Sequence, residues 1–251
     1  RYREGQKVGE IWGYETLGIA KTNEEMQNHL ASLPNGGQDA LGNQWAAGDI
    51  MYADINGDGR IDSGSWTEED PGDRKLIGNS SARFPFSFTL SADWKGFDFR
   101  TFFQGIMKRD YFQGSYYFWG ASSSGQWWST GLVEHEDYFR ADANHPLGQN
   151  LDSYYPRPVF SGKNQQTQTK YLQNAAYIRL KNIQLGYTIP SEIMEGLGIN
   201  RFRVYVSGEN LWTGTNLSGV FDPETIDGGP DDNGNVYPLS KTFALGLNIN
   251  F

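Results

Sequence analysis

The sequence predicts an all-β chain of antiparallel strands, of the kind that close into a transmembrane barrel. Three observations carry that prediction: apolar residues recur at every second position along whole segments, the connections alternate between short and long, and the composition favours aromatics and glycine. Of the 251 residues 15% are aromatic and 31 are Gly, while only 37% are hydrophobic. Such a balance suits β structure joined by long polar loops and argues against a helical bundle.

The first strand is the clearest. In FPFSFTLSADW, Phe84, Phe86, Phe88, Leu90, Ala92 and Trp94 share one face and Pro85, Ser87, Thr89, Ser91 and Asp93 the other, an unbroken period of two. Lys95 and Gly96 form a tight turn, after which Phe97, Phe99 and Phe103 resume one face and Asp98, Arg100 and Gln104 the other, so the two segments form a hairpin. A third strand carries Ile178 and Leu180, then Ile183, Leu185, Tyr187 and Ile189; its change of phase near Lys181 and Asn182 marks a bulge. Pro190 ends that strand. A short connector, PSEIMEGLG, leads to a fourth in which Phe202, Val204 and Val206 alternate with Arg203, Tyr205 and Ser207. The last, KTFALGLNINF, places Phe243, Leu245, Leu247, Ile249 and Phe251 on one face.

Phe84–Trp94 and Lys241–Phe251 each hold 11 residues, enough for a tilted strand to cross a bilayer, which takes about 9–11. The turns at 95–96 and 190–198 are short, whereas 108–175 and 213–240 are long and rich in Gly, Ser, Asn and aromatics. Transmembrane barrels place short turns on the periplasmic side and long loops outside. The strands then run Phe84–Trp94 down, Phe97–Met107 up, Ala176–Ile189 down, Asn200–Trp212 up and Lys241–Phe251 down. Five strands cannot close a barrel, for which about eight is the minimum, so the chain reads as the end of a longer protein. Residues 1–83 precede a downward strand and form a mainly extracellular region; residues 84–251 supply the barrel strands with extracellular loops 108–175 and 213–240. One helix is expected early, in TNEEMQNHLASLP, with a capping box from Thr22 to Glu25, an apolar side of Met26, Leu30 and Leu33, and Pro34 as its stop.

Composition and spacing also exclude functions. Lys plus Arg total 21 against 30 Asp plus Glu, a net charge of −9 that repels a phosphate backbone, so nucleic acid is not a partner. With no Cys there is neither a disulfide framework nor a zinc ribbon. His29, His135 and His145 lack metal-binding spacing, ASSSG is not part of a nucleophile elbow, and no carboxylate pair is singled out. The chain is not expected to be an enzyme.

Two features bear on ligands. In DINGDGRID, the side chains of Asp54, Asn56, Asp58 and Asp62 and the carbonyl of Arg60 have the spacing of a calcium loop, which makes Ca2+ the candidate cofactor. Ser65 stands where such a loop has a bidentate Glu, and no helices flank it as in a calcium sensor. The plainer reading is a pair of turn dipeptides, Asn56–Gly57 and Asp58–Gly59. The loop 108–175 is dense in aromatics. Tyr116, Tyr117, Trp119, Trp127 and Trp128 are candidates for stacking on a sugar or other ligand, against the alternative that they fill loops or line the membrane interface.

Six stretches in order, GYETLGIAKTNEE (13–25), GDIMYADINGDGRID (48–62) running on to LIGNSSARFPFSF (76–88), GFDFRTFFQG (96–105), YLQNAAYIRLKNIQLGYTIP (171–190), RVYVSGENLW (203–212) and the terminal strand, resemble the C-terminal part of a SusC-like (SusC/RagA family) TonB-dependent outer-membrane transporter. The resemblance implies a barrel of about 22 strands in the outer membrane of a Gram-negative, Bacteroidota-type bacterium, importing oligosaccharides or peptides. It implies a SusD-like surface lipoprotein as partner, outer-membrane lipid around the strands, and contact with TonB through an N-terminal part not in this chain. In this class of barrel a terminal aromatic preceded by alternating apolar residues is read by the assembly machinery, and Phe243, Leu245, Leu247, Ile249 and Phe251 supply such a signal. The competing reading is a secreted calcium-dependent carbohydrate-binding β-sandwich. The two differ in what meets Phe84, Phe86, Phe88 and Trp94: lipid in a barrel, a second sheet in a sandwich.

Overall fold

The computed structural model describes residues 6–120, 131–194, 196, 198–226 and 239–251. Trp127, Trp128 and much of the expected loop 213–240 lie outside the described residues. In chain order the elements are β1 (Glu10–Tyr14), β2 (Thr16–Ile19), α1 (Asn23–Ala31), β3 (Ile50–Tyr52), β4 (Arg74–Asn79), β5 (Arg83–Trp94), β6 (Phe97–Lys108), β7 (Asp110–Tyr111), α2 (Tyr116–Trp119), β8 (Gln173–Asn174), β9 (Tyr177–Thr188), α3 (Ser191–Met194), β10 (Arg201–Thr215) and β11 (Thr242–Asn250). The long strands form one antiparallel sheet of order β11-β10-β9-β6-β5. They are the five strands expected from the alternation. The chain divides into two compact units, one built from 6–81 and 110–173, the other from 82–109, 174–226 and 239–251.

In the second unit the hairpin β5–β6 turns on Lys95 (φ 48°) and Gly96 (φ 87°), both left-handed. Two successive left-handed residues make the turn whose twist matches that of paired strands, and it sets Trp94 opposite Phe97. A Cβ on Gly96 would lie 2.9 Å from the Thr188 carbonyl oxygen, so space as well as φ favours glycine there.

That register aligns side chains in rows across the sheet. Trp94, Phe97, Tyr187, Val204 and Leu247 form one row, and Ala92, Phe99, Leu185, Val206 and Leu245 the next. On the opposite face the matching rows are polar, among them Ser91, Arg100, Gln184 and Ser207. The apolar side chains stand in the open: Trp94 is 68% exposed, Leu90 55%, Phe243 76% and Leu245 73%. A soluble sandwich would bury these rows; a membrane strand turns them to lipid and keeps polar residues inside. Among the described residues no helix is long and apolar enough to cross a membrane.

The phase change in β9 is a bulge, as its sequence predicts. Against β6 the pairing steps from Asn182 to Leu180, leaving Lys181 without an opposite residue, whereas against β10 Lys181 stands opposite two residues, Asn210 and Leu211. β10 runs on to Thr215, beyond the Trp212 expected, because Asn210 at φ 54° lets the strand absorb the irregularity and pair again from Trp212 to Thr215.

The first unit is built from short pieces. β1 pairs with β4 and β2 with β3, antiparallel in both cases. α1 begins as expected, with the Thr22 hydroxyl accepting from the Glu25 amide at 3.0 Å. Glu25 reaches back to the amide of Lys21, at 2.6 Å, rather than to that of Thr22. Met26 and Leu33 are buried, and Leu30 is half-buried.

With the short turn of the hairpin at one end of the sheet and the long connection 109–176 at the other, the two ends face opposite sides of a membrane. The chain has no Cys of its own, so single thiols report cleanly. An impermeant thiol reagent applied to intact cells is expected to reach Leu147→Cys and not Lys95→Cys; the reverse labelling would invert the topology.

Candidate functional site

The first unit is organised around one buried carboxylate. Asp49 is fully buried and receives Arg157 Nε at 2.8 Å and Nη2 at 2.7 Å, Lys163 Nζ at 2.8 Å, Asn164 Nδ2 at 2.9 Å and the Ala46 amide at 2.9 Å. Lys163 is itself buried and donates also to the carbonyls of Asn43 and Gln44, both at 3.0 Å, with its ammonium 4.7 Å from the centre of the Trp45 ring. Around this knot run further bonds between distant segments: Ile50 N to Asn164 Oδ1 at 3.0 Å, Tyr52 Oη to the Lys163 carbonyl at 2.7 Å, and Tyr14 N to the Thr167 carbonyl at 2.8 Å. Burial alone would raise the Asp49 carboxyl, but hydrogen bonds from Arg157, Lys163, Asn164 and Ala46 outweigh it and hold the pKa below the ordinary value.

Against this knot lies a cavity of about 420 Å³, a volume in the range of small-ligand pockets. Trp119, Tyr138 and Tyr155 supply aromatic faces, Leu132, Val133 and Val159 an apolar rim, and Glu136, Arg157 and Gln165 polar groups. Its wall is fixed by His135, whose Nδ1 accepts from the Leu132 amide at 2.8 Å, leaving Nε2–H to donate to the carbonyls of Tyr117 and Phe118 at 3.1 Å each. Behind it Phe118, Trp119, Tyr154, Tyr155 and Tyr171 pack mostly edge to face, with centroids 4.7–6.3 Å apart, a favourable geometry for rings. Burial raises the pKa of Tyr154, Tyr155 and Tyr171, keeping these phenols neutral.

The residues predicted to stack on a ligand therefore divide. Trp119 lines the cavity and also packs on Tyr155 and Tyr171. Tyr117 is half-buried and enters the site through its backbone carbonyl. The Tyr116 side chain, with Trp127 and Trp128, lies outside the described residues. Tyr138, Tyr155 and Arg157 escaped the sequence reading, since nothing local distinguishes them from other loop residues.

The Asp-rich loop closes on itself. Asp54 accepts from the amides of Gly57 and Gly59 at 2.6 and 2.9 Å, Asn56 from that of Asp58 at 2.9 Å, Asp58 from that of Arg60 at 3.0 Å, and Asp62 from that of Gly64 at 2.8 Å. Gly57 (φ 76°) and Gly59 (φ 80°) take the left-handed turn positions. Arg60 Nε sits between Asp58 and Asp62, 3.3 and 2.9 Å from their carboxylates. Among the described residues no three acidic or imidazole side chains gather as a metal ion requires.

In the second unit the polar face of the sheet carries paired charges. Arg203 Nε meets Asp98 Oδ2 at 2.7 Å and Nη2 meets Gln184 at 3.2 Å. The concavity beside them measures about 620 Å³ and is lined by Ser91, Asp93, Asp98, Arg100, Gln184 and Arg203, among others.

Asp49 yields a prediction. Asp49→Asn leaves the buried Lys163 without its counter-charge, a loss worth roughly 3–5 kcal/mol, and is expected to speed amide exchange at Ala46 and Ile50 in the intact protein. Because the folded-state pKa is lowered, the stabilisation is complete above the unfolded value of about 4 and is lost as pH falls through the folded value. Protection unchanged in the variant, or lost already near neutral pH, would contradict this role.

No family model matches the chain. Curated relatives do match: the TonB-dependent receptor P3 of Formosa agariphila is 29% identical over 99% of this chain and 23% of its own length. The TonB-dependent receptor SusC of Bacteroides thetaiotaomicron is 27% identical over 80% of this chain and 17% of its own length. The chain thus spans about a quarter or less of the relatives it matches. The solved structure of the RagAB peptide transporter superposes with a TM-score of 0.64 at 22% identity, covering 97% of this chain and 23% of that one. Along nearly its whole length the chain is thus similar in sequence to about a quarter of the length of TonB-dependent receptors, SusC among the relatives, and similar in fold to the corresponding part of the RagAB peptide transporter.

Proposed function

We propose that the chain forms part of the wall and the extracellular surface of an outer-membrane importer for oligosaccharides or peptides. The observation that carries this reading is the two-faced sheet: its apolar rows are exposed, as lipid contact requires, and its polar rows carry Asp98, Arg100, Gln184 and Arg203, as the lining of an aqueous lumen requires. The first unit offers substrate an aromatic and polar cavity. Energy and the closing of the pore come from parts of the receptor outside this chain. A SusD-like surface lipoprotein is its partner, in keeping with the SusC and RagAB relatives. The receptor and transporter relatives favour binding and passage over catalysis.

The test is made in the intact receptor. Affinity purification from outer membranes is expected to bring down one surface lipoprotein in near-equal amount, and cells lacking the receptor are expected to lose uptake of one set of fluorescently labelled oligosaccharides or peptides. Trp119→Ala is expected to weaken that uptake by about tenfold, the scale of one lost stacking contact of roughly 1–1.5 kcal/mol. Normal uptake in cells lacking the receptor would overturn the reading.

A further inference from the structure

Strict alternation would carry Asn182 to the apolar face of β9. The bulge at Lys181 lets Arg179, Lys181 and Asn182 all serve the polar face, near the end of the sheet from which the long connections leave. Bulges commonly re-aim side chains in this way beside functional sites. Arg179 is 3% exposed, and each guanidinium nitrogen has an assigned partner: Nε donates to Thr213 Oγ1 at 2.8 Å, Nη1 to Glu224 Oε2 at 2.6 Å and Nη2 to Asp222 Oδ2 at 2.7 Å. Lys181 Nζ meets both oxygens of Glu224, at 2.9 and 3.2 Å.

The two acids lie on the segment that leaves β10. There the Asp222 carboxylate also accepts from the Glu224 amide at 2.9 Å, and the Asp222 carbonyl accepts from the amides of Thr225 and Ile226 at 3.2 and 3.1 Å. Leu217, Phe221 and Ile226 are buried. A segment with this geometry does not stand away from the sheet. Two wall cations and two segment anions neutralise each other in a largely buried cluster, where charge-assisted hydrogen bonds are strongest.

We propose that residues 217–226 are a strap folded over the polar face, held by an ionic latch of Arg179 and Lys181 on the wall with Asp222 and Glu224 on the strap, and that release of the latch uncovers the wall beneath. The inference rests on the reading that this face lines the lumen. The Asp222 turn is internal to the strap and the backbone ladder internal to the wall, so neither depends on the latch bonds.

The test uses the intact receptor in the outer membrane with one thiol at a time and an impermeant thiol reagent outside the cells. Gln104→Cys lies opposite Arg179 on β6; Ser91→Cys lies on the same face toward the short-turn end. In the Asp222→Asn, Glu224→Gln background, labelling of Gln104→Cys is expected to rise by about tenfold or more, as the loss of a charge-assisted hydrogen bond implies, while labelling of Ser91→Cys stays unchanged. An unchanged rate at Gln104→Cys overturns the strap, and so does an equal rise at both sites, which signals general loosening. Leu185→Cys, on the apolar face, tests the underlying reading separately: rapid labelling there by the aqueous reagent means that the face is not against lipid, whatever the strap does.

Discussion

In hydrocarbon every backbone amide and carbonyl must find a partner within the protein, and that constraint governs the second unit. Strands satisfy it through their neighbours, at the cost of turning successive side chains to opposite sides. Along β5, β6, β9, β10 and β11 the side chains therefore divide between an apolar and a polar face. The register translates this into rows, with Trp94 beside Phe97, Tyr187, Val204 and Leu247 on one side and Ser91 beside Arg100, Gln184 and Ser207 on the other. A slip of one residue between any two strands would exchange the faces. The left-handed pair Lys95 and Gly96 fixes the register of the first hairpin, and the bulge at Lys181 restores it where the polar side needs one residue more.

The first unit meets a different constraint. Its strands are short, and it is stitched instead by polar side chains that reach across more than a hundred residues of sequence to Asp49. A buried carboxylate is costly unless its hydrogen-bonding capacity is filled, and here two cations, an amide side chain and a backbone amide fill it. The same knot sets Arg157 in the wall of the aromatic cavity, so the cavity inherits the rigidity of the charges behind it.

What was legible in the sequence follows the range of the interactions. The long strands, the two-residue turn and the bulge were readable because each is written within a few neighbouring residues: Phe86, Phe88 and Leu90 at every second position, Lys95 before Gly96, Leu180 and Ile183 out of phase. α1 was readable from Thr22 and Glu25. The pairings of β1 with β4 and β2 with β3 were not, since three to six residues carry too little periodicity. Nor was the knot, because Asp49 is 108 and 114 residues from Arg157 and Lys163, and no local pattern marks such partners. The aromatic stretch near Trp119 was visible as composition, but its partners Tyr154, Tyr155 and Tyr171 were not. The Asp54, Asn56, Asp58 and Asp62 loop was legible as a spacing, and its oxygens accept from nearby amides and from Arg60.

The central claim, that one face of this sheet meets lipid and the other water, is tested most directly by the accessibility of a nitroxide label along β9 of the intact receptor in a bilayer. Labels at Ile183→Cys and Leu185→Cys should collide mainly with molecular oxygen, and labels at Asn182→Cys and Gln184→Cys with a water-soluble nickel complex. Accessibility that alternates with a period of two is the predicted result. Equal exposure of all four positions to the aqueous complex would contradict it.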